Sequence, residues 1–185
     1  MSTNFVSRAH DKLEFALDNF DISVENSVCI DFGCSTGGFV ECMLNRGAKK
    51  VYAIDTAYGE LAWKLRNNER VVVMERTNAL YAEIPELVDF ISIDVGWTRQ
   101  KLIIPIALKF IKSDGDIVSL IKPHYECDKS KLINGKVKDD EVQGVIDETL
   151  KDISEFKIKT KGIIESPVAG KKGKNKEFLL WAQPN

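Results

Sequence analysis

The run Val28-Cys29-Ile30-Asp31-Phe32-Gly33-Cys34-Ser35-Thr36-Gly37-Gly38-Phe39 joins an apolar segment ending in an acid to a glycine-rich turn. A turn of this kind brings bare backbone up to a ligand. Gly33 lets the chain reverse sharply at a strand end, and Gly37 and Gly38 admit close approach of a ligand or of a neighbouring strand. The dinucleotide pattern G-x-G-x-x-G is not met, because position 35 is Ser, and this disfavours a diphosphate-bearing ligand. A second apolar run, Val51-Tyr52-Ala53-Ile54, ends at Asp55. That lies about 20 residues on, where nucleotide-binding folds place a carboxylate that accepts hydrogen bonds from ribose hydroxyls. Loop and acid together point to an adenosine-bearing cofactor, with Asp31, Gly33, Ser35, Thr36, Gly37, Gly38, Phe39 and Asp55 as candidate contacts. The competing reading, a bare βα turn with Asp55 capping the next helix, stays open on these residues alone.

These residues need a rigid frame. Apolar runs at Val28–Phe32, Val51–Ile54, Val71–Met74, Val88–Ile93 and Ile117–Ile121 read as buried strands with helical stretches between them, a rhythm that implies a mostly parallel sheet with helices on both faces. Ala9, Leu13, Ala16, Leu17 and Phe20 recur at helical spacing after Ser7, predicting an opening helix from about Arg8 to Asn19, capped by Ser7 and carrying Lys12 on its polar face. Val142, Val145, Ile146, Leu150 and Ile153 share one face of a helix within Asp139 to Phe156, and the runs Lys157–Ser166 and Glu177–Ala182 beyond it predict a terminal hairpin. Between them, Pro167 to Lys176 reads as a Gly- and Lys-rich loop with Lys171, Lys172, Lys174 and Lys176. A length of 185 residues suits a single domain spanning 1–185, since domains commonly take about 100–200 residues.

Taken in order, Val6-Ser7-Arg8-Ala9, Lys12-Leu13, Asp31 to Phe39, Val51 to Asp55, Tyr58-Gly59-Glu60-Leu61, Glu75-Arg76-Thr77-Asn78-Ala79, Ile121-Lys122-Pro123 and Glu177-Phe178-Leu179-Leu180 resemble the FtsJ-like ribosomal RNA methyltransferases, nearest to the TlyA (hemolysin A) type. The similarity covers nearly the whole chain. It implies a Rossmann-like α/β fold with a seven-stranded, mostly parallel sheet whose last strand is antiparallel, S-adenosylmethionine as cofactor, and methylation of ribose 2′-hydroxyls in ribosomal RNA. It also implies a Lys-Asp-Lys-Glu tetrad beside the methyl donor, which falls here on Lys12, Asp94, Lys122 and Glu177, with Asp94 also reaching the cofactor and Thr77 and Asn78 approaching the adenine. Lys122 is then the candidate base and Lys12 a candidate for steadying the oxyanion. Taken one at a time, the lysines also read as solvated surface residues, Asp94 as a strand-end cap, Glu177 as an edge-strand charge and Asn78 as a helix N-cap. The chain departs from the family at Val95-Gly96-Trp97-Thr98, at Lys122-Pro123-His124-Tyr125-Glu126, and in starting almost at the opening helix, without the RNA-binding domain usual at the N-terminus.

The net charge of -2 gives no global attraction to a polyanion, so ribosomal RNA or ribosomal subunits would be held by local patches or through a separate RNA-binding partner. Lys129, Lys131, Lys136, Lys138 and the 171–176 loop are candidate phosphate contacts, with solvated loops as the plain alternative. No apolar stretch nears the ~20 residues of a membrane span, and Met1 to Asp21 lacks an uninterrupted apolar core, so neither membrane nor export is expected. Cys29, Cys34, Cys42 and Cys127 show no C-x-x-C spacing. They read as free thiols in a reducing cytoplasm, and no metal site is indicated. A hemolysin-like or non-catalytic RNA-binding protein, and a small-molecule methyltransferase, are the alternative functions.

Overall fold

Successive side chains of a strand point to opposite faces, so a strand covered on both sides is apolar throughout. The computed structural model, which describes residues 5–168 and 175–185, places strands at β1 (Val28–Phe32), β2 (Lys50–Ile54), β3 (Val71–Met74), β4 (Val88–Ile93) and β5 (Ile111–Ile121). A short hairpin follows, β6 (Leu132–Ile133) and β7 (Lys136–Val137), and then β8 (Ile158–Glu165) and β9 (Phe178–Pro184). The large sheet has seven strands in the order β3-β2-β1-β4-β5-β9-β8. Strands β1 to β5 run parallel, and β9 is antiparallel to both β5 and β8. The expected hairpin is thus present, but β9 lies inside the sheet and β8 forms the edge.

Alternation divides the core between the two faces. Ile30, Phe32, Tyr52, Ile54, Ile91 and Ile93 pack with α4 (Gln100–Phe110) and α6 (Val142–Ser154). Cys29, Val51, Ala53, Phe90, Val118 and Leu120 pack with α1 (Ala9–Phe20) and α2 (Gly38–Asn45). Two one-turn helices, α3 (Trp63–Arg66) and α5 (Pro123–Glu126), sit in crossover loops. All four cysteines are buried free thiols.

Three local expectations change. The opening helix begins at Ala9, with Arg8 at the cap position. Ser7 still satisfies the first turn, because its Oγ accepts from the Ala9 N–H at 3.2 Å and its carbonyl from the His10 N–H at 3.2 Å. Lys12 is only 8% exposed, so its place on a polar face does not make it a solvated lysine. β5 starts at Ile111, ahead of the expected Ile117, because the pairing slips between Val88 and Phe90 and a bulge carries the polar stretch Lys112-Ser113-Asp114-Gly115 through the strand.

Candidate active site

The carboxyl ends of β1, β2, β4 and β5 share one rim, the edge at which open α/β sheets bind ligands. Gly33 turns the chain there with φ +89°, and a Cβ built on it would meet the Asp94 carbonyl oxygen at 2.5 Å. Both conditions demand glycine. Gly33→Ala is expected to cost at least about 1–3 kcal/mol of stability and to push β1 and β4 apart where the ligand sits; a denaturation midpoint and a cofactor titration would measure the two losses. Gly37, at φ +97°, opens α2 and leaves no room for a Cβ against Leu61 and Leu65.

Two adjoining cavities share Gly33, Ser35 and Asp94. The first, about 230 Å³, is also lined by Ile54, Asp55, Thr77, Asn78, Leu80 and Ile103. Asp55 accepts from the Ser35 N–H at 2.7 Å and the Ala57 N–H at 2.8 Å, so it braces the glycine loop while its carboxylate faces the cavity. Asn78 is a true N-cap, taking the Leu80 N–H at 3.0 Å, and still lines the same cavity. The cap reading and the contact reading therefore hold together.

The second cavity is lined by Ser7, Arg8, Lys12, Asp31, Thr36, Gly38, Phe39 and Lys122 among others. Here the structure brings all four tetrad candidates close. Lys12 Nζ donates to Glu177 Oε2 at 2.5 Å, and Glu177 is 5% exposed. Glu177 precedes an interior strand, which removes the edge-charge reading. Lys122 Nζ lies 2.5 Å from Asp94 Oδ1 and 3.4 Å from the Val95 carbonyl. Each lysine thus faces the cavity already paired with a carboxylate.

Asp31 is 1% exposed and sits opposite Ser92 on β4, whose hydroxyl donates to Oδ1 at 2.8 Å. Its Oδ2 has no partner among the described residues. Burial pushes the Asp31 carboxyl up to about 8; the Ser92 hydrogen bond opposes this, and the nearby charges of Asp94 and Asp55 add to it. Ser92 was not singled out in the sequence, since only the β1/β4 register shows that it faces Asp31.

On the outer rim Trp97 is 86% exposed with φ +61°, and its ring lies 4.8 Å from that of Tyr125, over which Lys122 Nζ stands at 5.8 Å. Glu126, pushed up to about 7 by burial, accepts from the Gln100 N–H at 3.1 Å and so ties α5 to the start of α4. Of the lysines expected to meet phosphate, Lys131 pairs with Glu148 (3.6 Å), Lys136 with Asp139 (3.2 Å), Lys138 with Glu141 (3.8 Å) and Lys176 with Glu165 (3.6 Å). Lys171, Lys172 and Lys174 lie outside the described residues. Elsewhere, His10, Asp11 and Glu14 bring one nitrogen and two carboxylates within 4.8 Å of one another, and Arg46 already ion-pairs Glu14 at 3.3 Å.

Comparison with known proteins fits this arrangement. The profile of the FtsJ-like methyltransferases matches residues 5–183. The chain belongs to that family. It is 41% identical to the Bacillus subtilis protein YqxC over 185 residues, covering 95% of this chain and 64% of that protein. It is 40% identical over 183 residues to the 16S/23S rRNA (cytidine-2′-O)-methyltransferase TlyA of Mycobacterium tuberculosis, covering 96% of this chain and 68% of TlyA. A hemolysin-named protein of known crystal structure from Lactococcus lactis superposes with a TM-score of 0.94 at 38% identity, over 100% of this chain and 90% of that one. The chain thus spans about two thirds of the length of the curated FtsJ-like relatives it matches.

The FtsJ-like cofactor, S-adenosylmethionine, suits what the residues offer. Asp55, Thr77 and Asn78 surround a cavity fit for adenosine, and the unpartnered Asp31 Oδ2 is a place for a cationic amino group. Such a group needs the carboxylate form of Asp31, so binding has to displace a proton wherever the free protein holds one, below about pH 8. The sign follows: affinity for S-adenosylmethionine is expected to rise with pH, by about tenfold per unit between pH 6 and 7, and to level off near pH 8. Calorimetric titration across that range would show it. A flat profile, or a slope that survives Asp31→Asn, contradicts this role.

Proposed function

We propose that this chain, acting as one methyltransferase domain over residues 1–185, methylates ribose 2′-hydroxyls of ribosomal RNA. The observation that carries this reading is the pair of lysine–carboxylate contacts, Lys12 with Glu177 and Lys122 with Asp94, facing one cavity beside the glycine loop. The bound cofactor supplies an electrophilic methyl group on a sulfonium. A ribose hydroxyl needs its proton removed as the oxygen attacks, with the reacting atoms held in line. Lys122 Nζ, in its neutral form, receives that proton while the O–C bond forms and the S–C bond breaks. Asp94 and the Val95 carbonyl hold the Lys122 amine in place. Lys12, fixed by Glu177, steadies the negative charge that develops on the oxygen.

The exposed Trp97 ring and the half-buried Tyr125 ring beside it supply a stacking surface for an unpaired base, the form in which RNA is read by aromatic side chains. Among the described residues no helix is long and apolar enough to cross a membrane. A separate RNA-binding partner would supplement the cavity's own contacts.

The test is to incubate the purified protein with radiolabelled S-adenosylmethionine and ribosomal subunits lacking 2′-O modification. Label in ribosomal RNA supports the reading. Absence of label despite measurable cofactor binding turns it toward a small-molecule substrate.

A further inference from the structure

The second cavity contains three cations, Arg8, Lys12 and Lys122. Two are neutralised where they stand, Lys12 by Glu177 and Lys122 by Asp94. Arg8 is exposed, and among the described residues its guanidinium has no ion pair and no hydrogen bond. Among the described residues lining this cavity, Arg8 is therefore the cation without a carboxylate partner. Of the described basic side chains in neighbouring segments, Lys131, Lys136, Lys138 and Lys176 are paired with carboxylates of this chain, as is Arg99 with Asp128 at 3.4 Å.

The backbone under Arg8 is fixed. The Val6 N–H donates to Glu41 Oε2 at 2.7 Å, tacking the segment to α2, and Ser7 closes the first turn of α1 through its hydroxyl and carbonyl. Gly38 lies against Ser7 and Ala9 with no space for a side chain. A guanidinium on an immobile base, at the mouth of the cavity and without a carboxylate partner among the described residues, suits a phosphate: its planar donors bind two oxygens at once and lose little entropy in doing so.

Resting on the RNA reading above, we infer that Arg8 is a phosphate-binding residue that grips the phosphodiester adjoining the ribose to be methylated and so sets its 2′-oxygen before Lys122. Its partner is the backbone of the substrate RNA; the cofactor's carboxylate is the alternative ligand for the same fork, and the cofactor titration below separates the two.

Wild type, Arg8→Ala and Arg8→Lys would be compared for S-adenosylmethionine affinity, for KM toward unmodified ribosomal subunits, and for RNA affinity as a function of salt. Arg8→Ala is expected to raise KM for subunits about tenfold with cofactor affinity unchanged, and to lower the log–log salt slope by about 0.7–0.9, the loss of one phosphate contact. Arg8→Lys should restore the slope but only part of the affinity, because a point charge replaces a bidentate fork. Unchanged KM and slope in Arg8→Ala, with the wild type methylating RNA, overturn this inference alone. A fall in cofactor affinity also overturns it, by assigning Arg8 to the cofactor. A wild type that methylates no RNA overturns this inference together with the reading it rests on.

Discussion

Lys122→Met should lose methyl transfer by about 10²–10⁴-fold, the range for removal of a positioned proton acceptor, while binding S-adenosylmethionine as the wild type does. The cavity fit for adenosine is lined by the glycine loop, Asp55 and the 77–80 segment, and Lys122 is not among its lining residues. The contacts of Lys122 are Asp94 Oδ1 and the Val95 carbonyl, both at the rim of β4. Single-turnover transfer to RNA, set beside a cofactor titration of the same sample, separates chemistry from binding. A variant retaining a tenth or more of wild-type transfer would remove Lys122 from the proton's path; one that fails to bind cofactor would make it a binding residue.

Glu177→Ala is expected to cost about 3 kcal/mol of folding stability as well as activity, because it strands the Lys12 ammonium in a site where that side chain is 10% exposed. The discriminating comparison is the double variant Lys12→Met/Glu177→Leu. Replacing a buried ion pair by apolar groups of similar size is often neutral, so the double variant should recover most of the urea midpoint lost by Glu177→Ala and recover none of the methyl transfer. Equal midpoints for Glu177→Ala and wild type would mean that Lys12 reaches water on its own and that the pair contributes little to the fold.

Much of this site is legible in one dimension, and the illegible part has definite causes. β1, β3 and β4 occupy the residues their apolar runs indicate: β1 and β4 are interior strands buried along most of their length, and β3, although half-exposed at the sheet edge, is apolar throughout. β5 is a different case: Lys112 and Asp114 sit beside a bulge near the sheet's lower end, where charge reaches water, and so they hid the start of the strand. Lys12 shows why helical periodicity understates burial. It falls on the polar side of α1, yet that side is closed over by Glu177, which arrives from the far end of the chain. The lysines of the β6–β7 hairpin read as phosphate ligands until α6 and the turn before it supply Glu148, Glu141 and Asp139 as partners. The β6–β7 hairpin itself, two residues per strand, is too short to leave a pattern.

On the mechanism proposed above, the insertion of β9 between β5 and β8 sets when methyl transfer can begin. A chain leaving the ribosome can lay down β1 to β5 in parallel and bring Lys122 up to Asp94 from its own local segments. Lys12 waits for a carboxylate 165 residues downstream. Until β9 docks, the second cavity holds a bare ammonium and the sheet has an open flank along β5. Closing so long a loop is among the slow steps of folding, so methyl transfer should appear abruptly at the end of folding, and no partly built chain should show a fraction of it.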